Sequence, residues 1–453
     1  MIYLFLLLLP LAAFSQKLHM LVLGGSGEPQ NKESTIFDPG LEKMGQFNRA
    51  HPDIKSEVLF NGGHSETEEI ARQGFGSSRP FSATEYYRII ESYKQKLTSG
   101  QIRSGEKILI NLYSHGATRD AGEKSHKFAA GSGTMANADS VSGVTTVSVD
   151  YLKSLADLAK AKGVKLGIVD LSCHSGNTLA LADENTCVIS ATGPNHYSGA
   201  GTMSFGAVFS GAMAPGKSLE EAYLSARAQF NDASFPMISS PAGEDIQEKL
   251  YNKETPFLYY YNPDGDKFTP YMENMAAEVG VCKMDENLTG LNSEINKLLS
   301  AGANAELTTK LNAFRTALSA YHSYMSDIKR RMDQFGIGDI GKVYEICSGS
   351  VCQKYTAKEI AATNFEAFIP YYQENGDRAK VDICRQGMRL KTQIVTENPR
   401  IRESARFWQS LPDLQRNTSS LQSDVARTHR ELYLEMYRRS QVSGPNPCRD
   451  FKL

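Results

Sequence analysis

The chain has 453 residues, 41% hydrophobic and 22% charged, with a formal net charge of −2. That length implies two or three domains, and that balance is the composition of an ordinary globular protein. It excludes a nucleic-acid binder built on excess Lys and Arg, because phosphate contacts need clustered cations.

The first residues, MIYLFLLLLPLAAFS, form a short apolar run closed by Ala13, Phe14 and Ser15, which reads as a signal peptide over 1–15 cut before Gln16. The run is too short to span a bilayer comfortably, so no stable membrane span is expected and the protein is read as secreted or periplasmic. From residue 18 short apolar runs alternate with amphipathic stretches. LHMLVLGG, KSEVLFNGG, KILINLYS, VKLGIVDLS and TCVISATG predict strands, each running into Gly or polar residues at its C-terminal end. ATEYYRIIESYKQKL and VSVDYLKSLADLAKAKG predict helices, the second capped at Gly163. Strand and helix in alternation predict an α/β fold, a mostly parallel sheet with helices on both faces, over residues 16–275. Residues 201–230 read as one small-residue segment and one helix broken at Pro215 and Gly216, FPMISSPAG as loop, and PFLYYYNPDGD as an edge strand.

Residues 276–453 read as an all-helical, Cys-containing C-terminal domain. Leu307, Leu311, Phe314, Leu318, Tyr321, Met325, Ile328 and Met332 recur at alternating spacings of four and three, the stripe that a long helix buries. Leu421, Val425, Leu432 and Met436 make a weaker stripe. Beyond residue 280 Lys and Arg exceed Asp and Glu, and before it the reverse holds, so the halves carry opposite net charge. Of seven Cys, an odd number for an exported chain, Cys173 is the natural one to keep for chemistry. Cys347 and Cys352 flank SGSV and could close a local loop, while the full connectivity is left open.

Two strand ends carry the chemistry. ILINLYSHGATRD puts His115 and Gly116 just past one predicted strand, and LGIVDLSCHSGNT puts Cys173 just past the next. A right-handed crossover sets such strands side by side, and sites in parallel sheets lie at their carboxyl ends. A thiol is mostly protonated at neutral pH, and a neighbouring imidazolium favours the thiolate. The backbone N–H groups of Gly116 and Cys173 are placed to form an oxyanion hole, His115 to protonate the leaving amine.

A strand ending in SHG followed by one ending in a Cys with small polar neighbours resembles the caspase, metacaspase and legumain superfamily of cysteine peptidases. SCHSG is similar to the metacaspase nucleophile motif; HGA and the GGSG after the first strand are more like legumain. Over residues 18–275 the resemblance implies a caspase-like fold, a Cys173 and His115 dyad, a protein or peptide substrate, and a zymogen matured by cleavage. As in legumain, the C-terminal domain would act as an inhibitor masking the cleft. The acid that metacaspases place two residues before the nucleophile is here Leu171, and Asp170 stands three before it. Asp170 and Glu28, in GGSGEPQ, are the candidate substrate-pocket acids, although Asp170 should face away from Cys173 and loop acids are usually solvated.

Among the remaining His, His174 should project away from the dyad, and His64 and His126 sit in polar loops without a partner at metal-ligand spacing. No CxxC pair, HExxH run, phosphate loop or GxSxG elbow occurs, and NPDGD at 262–266 lacks the spacing and closing Glu of a calcium loop. No metal and no cofactor are expected. The competing function is a catalytically silent caspase-like binding module, and transpeptidation uses the same dyad as hydrolysis.

Overall fold

The computed structural model describes residues 17–28, 32–51, 53–60, 63–118, 126–131, 145–194, 198–199, 201–202, 204–230, 235–250, 292–333, 343–397, 402 and 411–453. The expected signal peptide, the edge strand at 256–266, the boundary at 275 and Cys282 lie outside them. The chain forms two compact units: Met1–Tyr259 together with His429–Leu453, and Tyr260–Thr428.

The first unit runs β1 (Leu18–Gly24), α1 (Asp38–Ala50), β2 (Ile54–Phe60), α2 (Ser65–Phe75), α3 (Ala83–Thr98), β3 (Lys107–Tyr113), β4 (Gly116–Thr118), β5 (His126–Ala130), β6 (Thr145–Ser148), a 3-10 turn at Val149–Leu152, α4 (Lys153–Ala161), β7 (Lys165–Asp170), a 3-10 segment at Ser175–Leu181, β8 (Thr186–Ser190), α5 (Phe205–Ala212), α6 (Leu219–Gln229), β9 (Met237–Ile238) and α7 (Pro241–Leu250). The central sheet has the order β2-β1-β3-β7-β8-β9, and β4-β5-β6 form a small sheet of their own. All pairings from β2 to β8 are parallel, and β9 closes the edge antiparallel.

All five predicted strands are present. β1 and β3 are buried along their whole length, which is why they read as continuous apolar runs and not as alternating ones. Alternate residues feed the two faces. Leu21, Leu23, Ile108, Ile110, Leu112, Leu166 and Ile168 pack with Tyr86, Ile89, Ile90 and Tyr93 of α3 and Leu155 and Ala159 of α4. The Ser82 hydroxyl caps α3 by accepting from the Glu85 N–H. On the opposite face Gly167 leaves room for Leu219 of α6, Leu109 and Phe451, and Gly40 of α1 and Gly206 of α5 leave room for the Tyr113 ring.

Three local expectations change. VSVDYLKSLADLAKAKG begins as the strand β6 and becomes helical only from Val149; Gly163 does follow the helix, at φ 65°. The small-residue segment is the helix α5, started by a hydrogen bond from the Ala207 N–H to the Ser204 hydroxyl, while α6 opens with a Ser218 and Glu221 capping box. FPMISS, read as loop, contains β9, too short to show a period of two.

The end of the chain belongs to the first unit. The Tyr433 and Tyr223 hydroxyls are 3.2 Å apart, and Cys448 is disulfide-bonded to Cys187 of β8, 261 residues away in sequence. The Leu219 N–H donates to the Phe451 carbonyl (3.0 Å), the Leu453 N–H to Lys217 (2.7 Å) and the Gly216 N–H to Leu453 (2.8 Å). Phe451 is fully buried.

The second unit is not all-helical. Strands at Val343–Ser348 and Val351–Thr356 form an antiparallel hairpin, bridged by the Cys347–Cys352 disulfide. Its two-residue loop puts Gly349 at φ 62°, the geometry required at the first position of a type II′ turn. Helices Ala357–Ala362, Phe365–Glu374 and Arg378–Glu397 follow, around a core of Ala357, Ile360, Phe365, Cys384 and Ile394. The long stripe lies on one helix, Ala305–Asp333, with Leu311, Phe314, Leu318 and Tyr321 buried and Leu307 half-buried; the side chains of Met325, Ile328 and Met332 lie outside the described residues. On helix Leu411–Arg439, Val425, Leu432 and Met436 are buried and Leu421 half-buried. Among the described residues no helix is long and apolar enough to cross a membrane.

Because Phe451 fills space beside Gly167, Phe451→Ala leaves a cavity and should cost about 3–5 kcal/mol. Urea unfolding followed by circular dichroism measures it. Phe368→Ala, at a side chain 48% exposed, should be close to neutral in the same assay.

Candidate active site

Parallel pairing carries β3 and β7 to the same rim, with Leu112 beside Asp170. Past β3 the chain continues through Ser114 and His115 to Gly116. The exit of β1 packs tightly against it: the Gly25 N–H donates to the Tyr113 carbonyl at 2.9 Å, and a side chain at Gly24 would collide with that carbonyl. Gly25 at φ 76° and Gly27 at φ 88° then turn the chain in a way that favours glycine. The turn delivers Glu28, whose Oε1 lies 2.7 Å from Nε2 of His115. The ring of Phe37 meets His115 edge-on at 5.2 Å.

Glu28 is buried and His115 is 26% exposed at its side chain. Burial pushes the Glu28 carboxyl up, but the hydrogen bond and charge of His115 outweigh it and hold the group below the ordinary carboxylate range. A carboxylate only accepts, so Nε2 donates, and Nδ1 is the nitrogen left to exchange a proton. Glu28 is therefore not a solvated loop acid: it is buried and pairs through Oε1 with His115.

Beyond β7 the Leu171 N–H still donates to Leu112 (2.7 Å), after which the chain turns sharply. His174 takes φ 61°, unusual for a residue with a Cβ, and its buried ring places Nδ1 3.2 Å from the Pro194 carbonyl. The Asn177 amide donates to the carbonyls of His174 and Pro194, both at 3.0 Å. The turn is thus braced by the chain after β8, and His174 serves that brace. Cys173 is a partly exposed thiol. Its Sγ accepts from the Ser198 N–H at 3.3 Å and donates to the Ser198 carbonyl at 3.7 Å.

Gly116 lies directly on the Cys173 peptide: a Cβ there would run into the Cys173 carbonyl and come 2.9 Å from its nitrogen. In the small sheet Gly116 pairs with Phe128, and the Ala129 N–H donates to the His115 carbonyl at 2.8 Å. Gly116 thus occupies a non-hydrogen-bonded position of the antiparallel ladder, with its own N–H directed away from β5. The structure brings His115, Gly116, Cys173 and Glu28 to one rim.

Asp170 is placed elsewhere. It is fully buried beneath the turn, with Oδ1 accepting from the Ser172 N–H (3.0 Å) and hydroxyl (2.5 Å), and Oδ2 accepting from the Thr178 hydroxyl (2.6 Å) and facing Nε2 of His126 at 3.2 Å. Burial raises its pKa, but the charge and hydrogen bond of His126 and the two hydroxyls more than reverse that. A carboxylate so enclosed offers no oxygen to a ligand. His126, read as a loop residue, is a buried member of β5. His64, also buried, precedes α2 as its N-cap. The residues that the sequence did not single out are Phe37, Ser172, Thr178 and Ser198, small or apolar side chains whose roles come only from placement. Among the described residues no group of three or more His, Cys, Asp or Glu could hold a metal ion.

No family model matches the chain, and no curated protein matches it.

Two measurements probe this arrangement. Glu28→Gln removes the carboxylate charge 2.7 Å from Nε2 of His115, so alkylation of Cys173 by iodoacetamide at pH 6 should slow by about tenfold. For Asp170, folding lowers the pKa, so its contribution to stability is fully present above the unfolded value near 4 and fades as pH falls through the lowered folded value. Asp170→Asn should therefore cost about 3–5 kcal/mol at pH 7, with the gap to wild type narrowing in acid; urea titrations at several pH values read both.

Proposed function

We propose that the first unit is a cysteine endopeptidase of the caspase, metacaspase and legumain kind, with Cys173 as nucleophile and His115 as its acid and base. The observation that carries this reading is the His115 imidazole, held by the Glu28 carboxylate at the strand end beside that of Cys173. A buried carboxylate orients a histidine and stabilises its cation, as the third member of acyl-transfer triads does.

The Cys173 thiolate attacks the peptide carbonyl carbon, and the N–H groups of Gly116 and Cys173 receive the developing oxyanion. As the tetrahedral species collapses, Nδ1 of the His115 imidazolium protonates the departing amine and a thioester remains on Cys173. Water, deprotonated by the now neutral His115, attacks the thioester and releases the acid, returning the proton to the ion pair. An amine in place of water would give transpeptidation by the same steps.

Of the two acids considered for a substrate pocket, Asp170 is enclosed and Glu28 is engaged through Oε1 by His115. A masking role for the C-terminal domain is motivated by the opposite net charges of residues 1–280 and 281–453; the second unit alone, Tyr260–Thr428, has balanced charge, so the asymmetry rests partly on residues 429–453, which belong to the first unit. Export is supported by the two disulfides and by the apolar run at residues 1–15.

A peptide-library cleavage profile of the full-length protein, before and after limited proteolysis, tests the reading beside Cys173→Ala. Cleavage should appear in the wild type, increase after proteolysis and fall to background in the variant. Cleavage that persists in Cys173→Ala refutes the nucleophile assignment; no cleavage by either protein favours a silent binding module.

A further inference from the structure

The peptidase reading uses His115, Glu28 and Cys173 but gives no reason for a fully buried imidazole and a fully buried carboxylate directly beneath the nucleophile. We propose that His126 is a positioning residue: from β5 it locks the Cys173 turn to the strand that also holds His115, and so sets the separation of thiol and imidazole. The inference rests on the peptidase reading.

The strand β5 makes two connections to the site. The Ala129 N–H holds the His115 carbonyl at 2.8 Å, and three residues away Nε2 of His126 lies 2.9 Å from the Ser172 hydroxyl and 3.2 Å from Asp170 Oδ2. A strand advances about 3.3 Å per residue and stretches little, so these anchors stand about 10 Å apart along a stiff element. One anchor fixes the backbone of the catalytic His. The other fixes the residue immediately before the catalytic Cys.

The chemistry of the second anchor gives it direction. The Ser172 hydroxyl has one proton, committed to Asp170 Oδ1 at 2.5 Å, so toward His126 it acts as acceptor and Nε2–H is the donor. Asp170 collects donors from the Ser172 N–H, the Ser172 and Thr178 hydroxyls and His126, about as many as a carboxylate accepts. Removing the imidazole strips from the site the single Nε2–H that the Ser172 hydroxyl and the buried Asp170 carboxylate share. Nδ1 of His126 has no hydrogen-bond partner among the described residues. The ring thus reaches the network through one nitrogen, and that nitrogen faces the nucleophile turn. Gly116 closes the triangle, since a Cβ there would approach the Ser172 hydroxyl to 2.9 Å as well as the Cys173 peptide.

The test uses the full-length protein with His126→Leu, His126→Gln and Ser172→Ala. It reads kcat and KM on a peptide from the cleavage profile, and the pH dependence of Cys173 alkylation by iodoacetamide. Displacing a reacting group by about 1 Å costs on the order of 100-fold. His126→Leu should therefore lose about 100-fold in kcat with KM changed less than about threefold, and its alkylation midpoint should move up toward the free-thiol value near 8.5. His126→Gln, which keeps an N–H donor, should regain at least about tenfold of that loss. Ser172→Ala keeps the His126 and Asp170 pair but cuts the link to the turn; it should shift kcat and alkylation in the same direction, and it decides the matter if His126→Leu does not fold. A folded His126→Leu with wild-type kcat and alkylation profile overturns the proposal. So does an equal loss in the Leu and Gln variants that follows thermal stability and not the alkylation midpoint. Should the wild type cleave no peptide, the peptidase reading fails while the alkylation profiles still decide the positioning role: a shifted midpoint supports it and an unshifted one overturns it.

Discussion

Parallel pairing of β3 with β7 sets Leu112 beside Asp170, so two chain segments leave the sheet at one rim, side by side. Each must turn at once, because the strands end there, and each turn carries a chemically capable residue. The turns would not face each other without further restraint, since loop backbone is soft. The restraint comes from Gly116 seated on the Cys173 peptide and from β5, which binds to both turns. A two-residue constellation is thus held by a sheet pairing, a close backbone contact and a buried polar network.

The network places a negative charge beneath the Cys173 turn, where an uncompensated anion would strain the fold. Compensation is local: His126, two hydroxyls and a backbone N–H surround Asp170. Above the turn the Ser198 backbone meets Sγ through both its N–H and its carbonyl, and the Glu28 carboxylate accepts from the His115 ring. Both carboxylates are buried and ionised, yet their surroundings give them different roles. Asp170 braces the Cys173 turn, and Glu28 accepts from the His115 ring.

Much of the sheet was legible because fully buried parallel strands show as uninterrupted apolar runs ending in Gly, and His115 and Cys173 stand just past two of them. The long stripe from Leu307 was legible for the same reason, a period that only a helix satisfies. What stayed hidden has no periodic signature. β9 has two residues, and the hairpin at 343–356 is betrayed only by Gly349 and the closely spaced Cys347 and Cys352. The partnership of Glu28 with His115 arises from three glycines bending a loop across 87 residues of sequence separation, which no local pattern records. The enclosure of Asp170 depends on Ser172, Thr178 and His126, unremarkable residues in a single sequence.

The return of residues 429–453 to the first unit bears on any scheme in which the second unit restrains the first. The fully buried Phe451, the Tyr433 to Tyr223 contact and the hydrogen bonds of Leu453 are part of the first unit's packing. A cut within residues 260–428 therefore separates the chain without separating the unit, because Cys448 remains bonded to Cys187 of β8. Closing so long a loop removes much entropy from the unfolded chain, on the order of 3–5 kcal/mol, and after such a cut the same bond keeps the C-terminal piece at high effective concentration beside its site. Reduction would remove both effects together. The disulfide thus makes the first unit tolerant of breaks in the second while leaving its integrity dependent on an oxidising surrounding, a coupling between compartment and completeness that strand order alone would not impose.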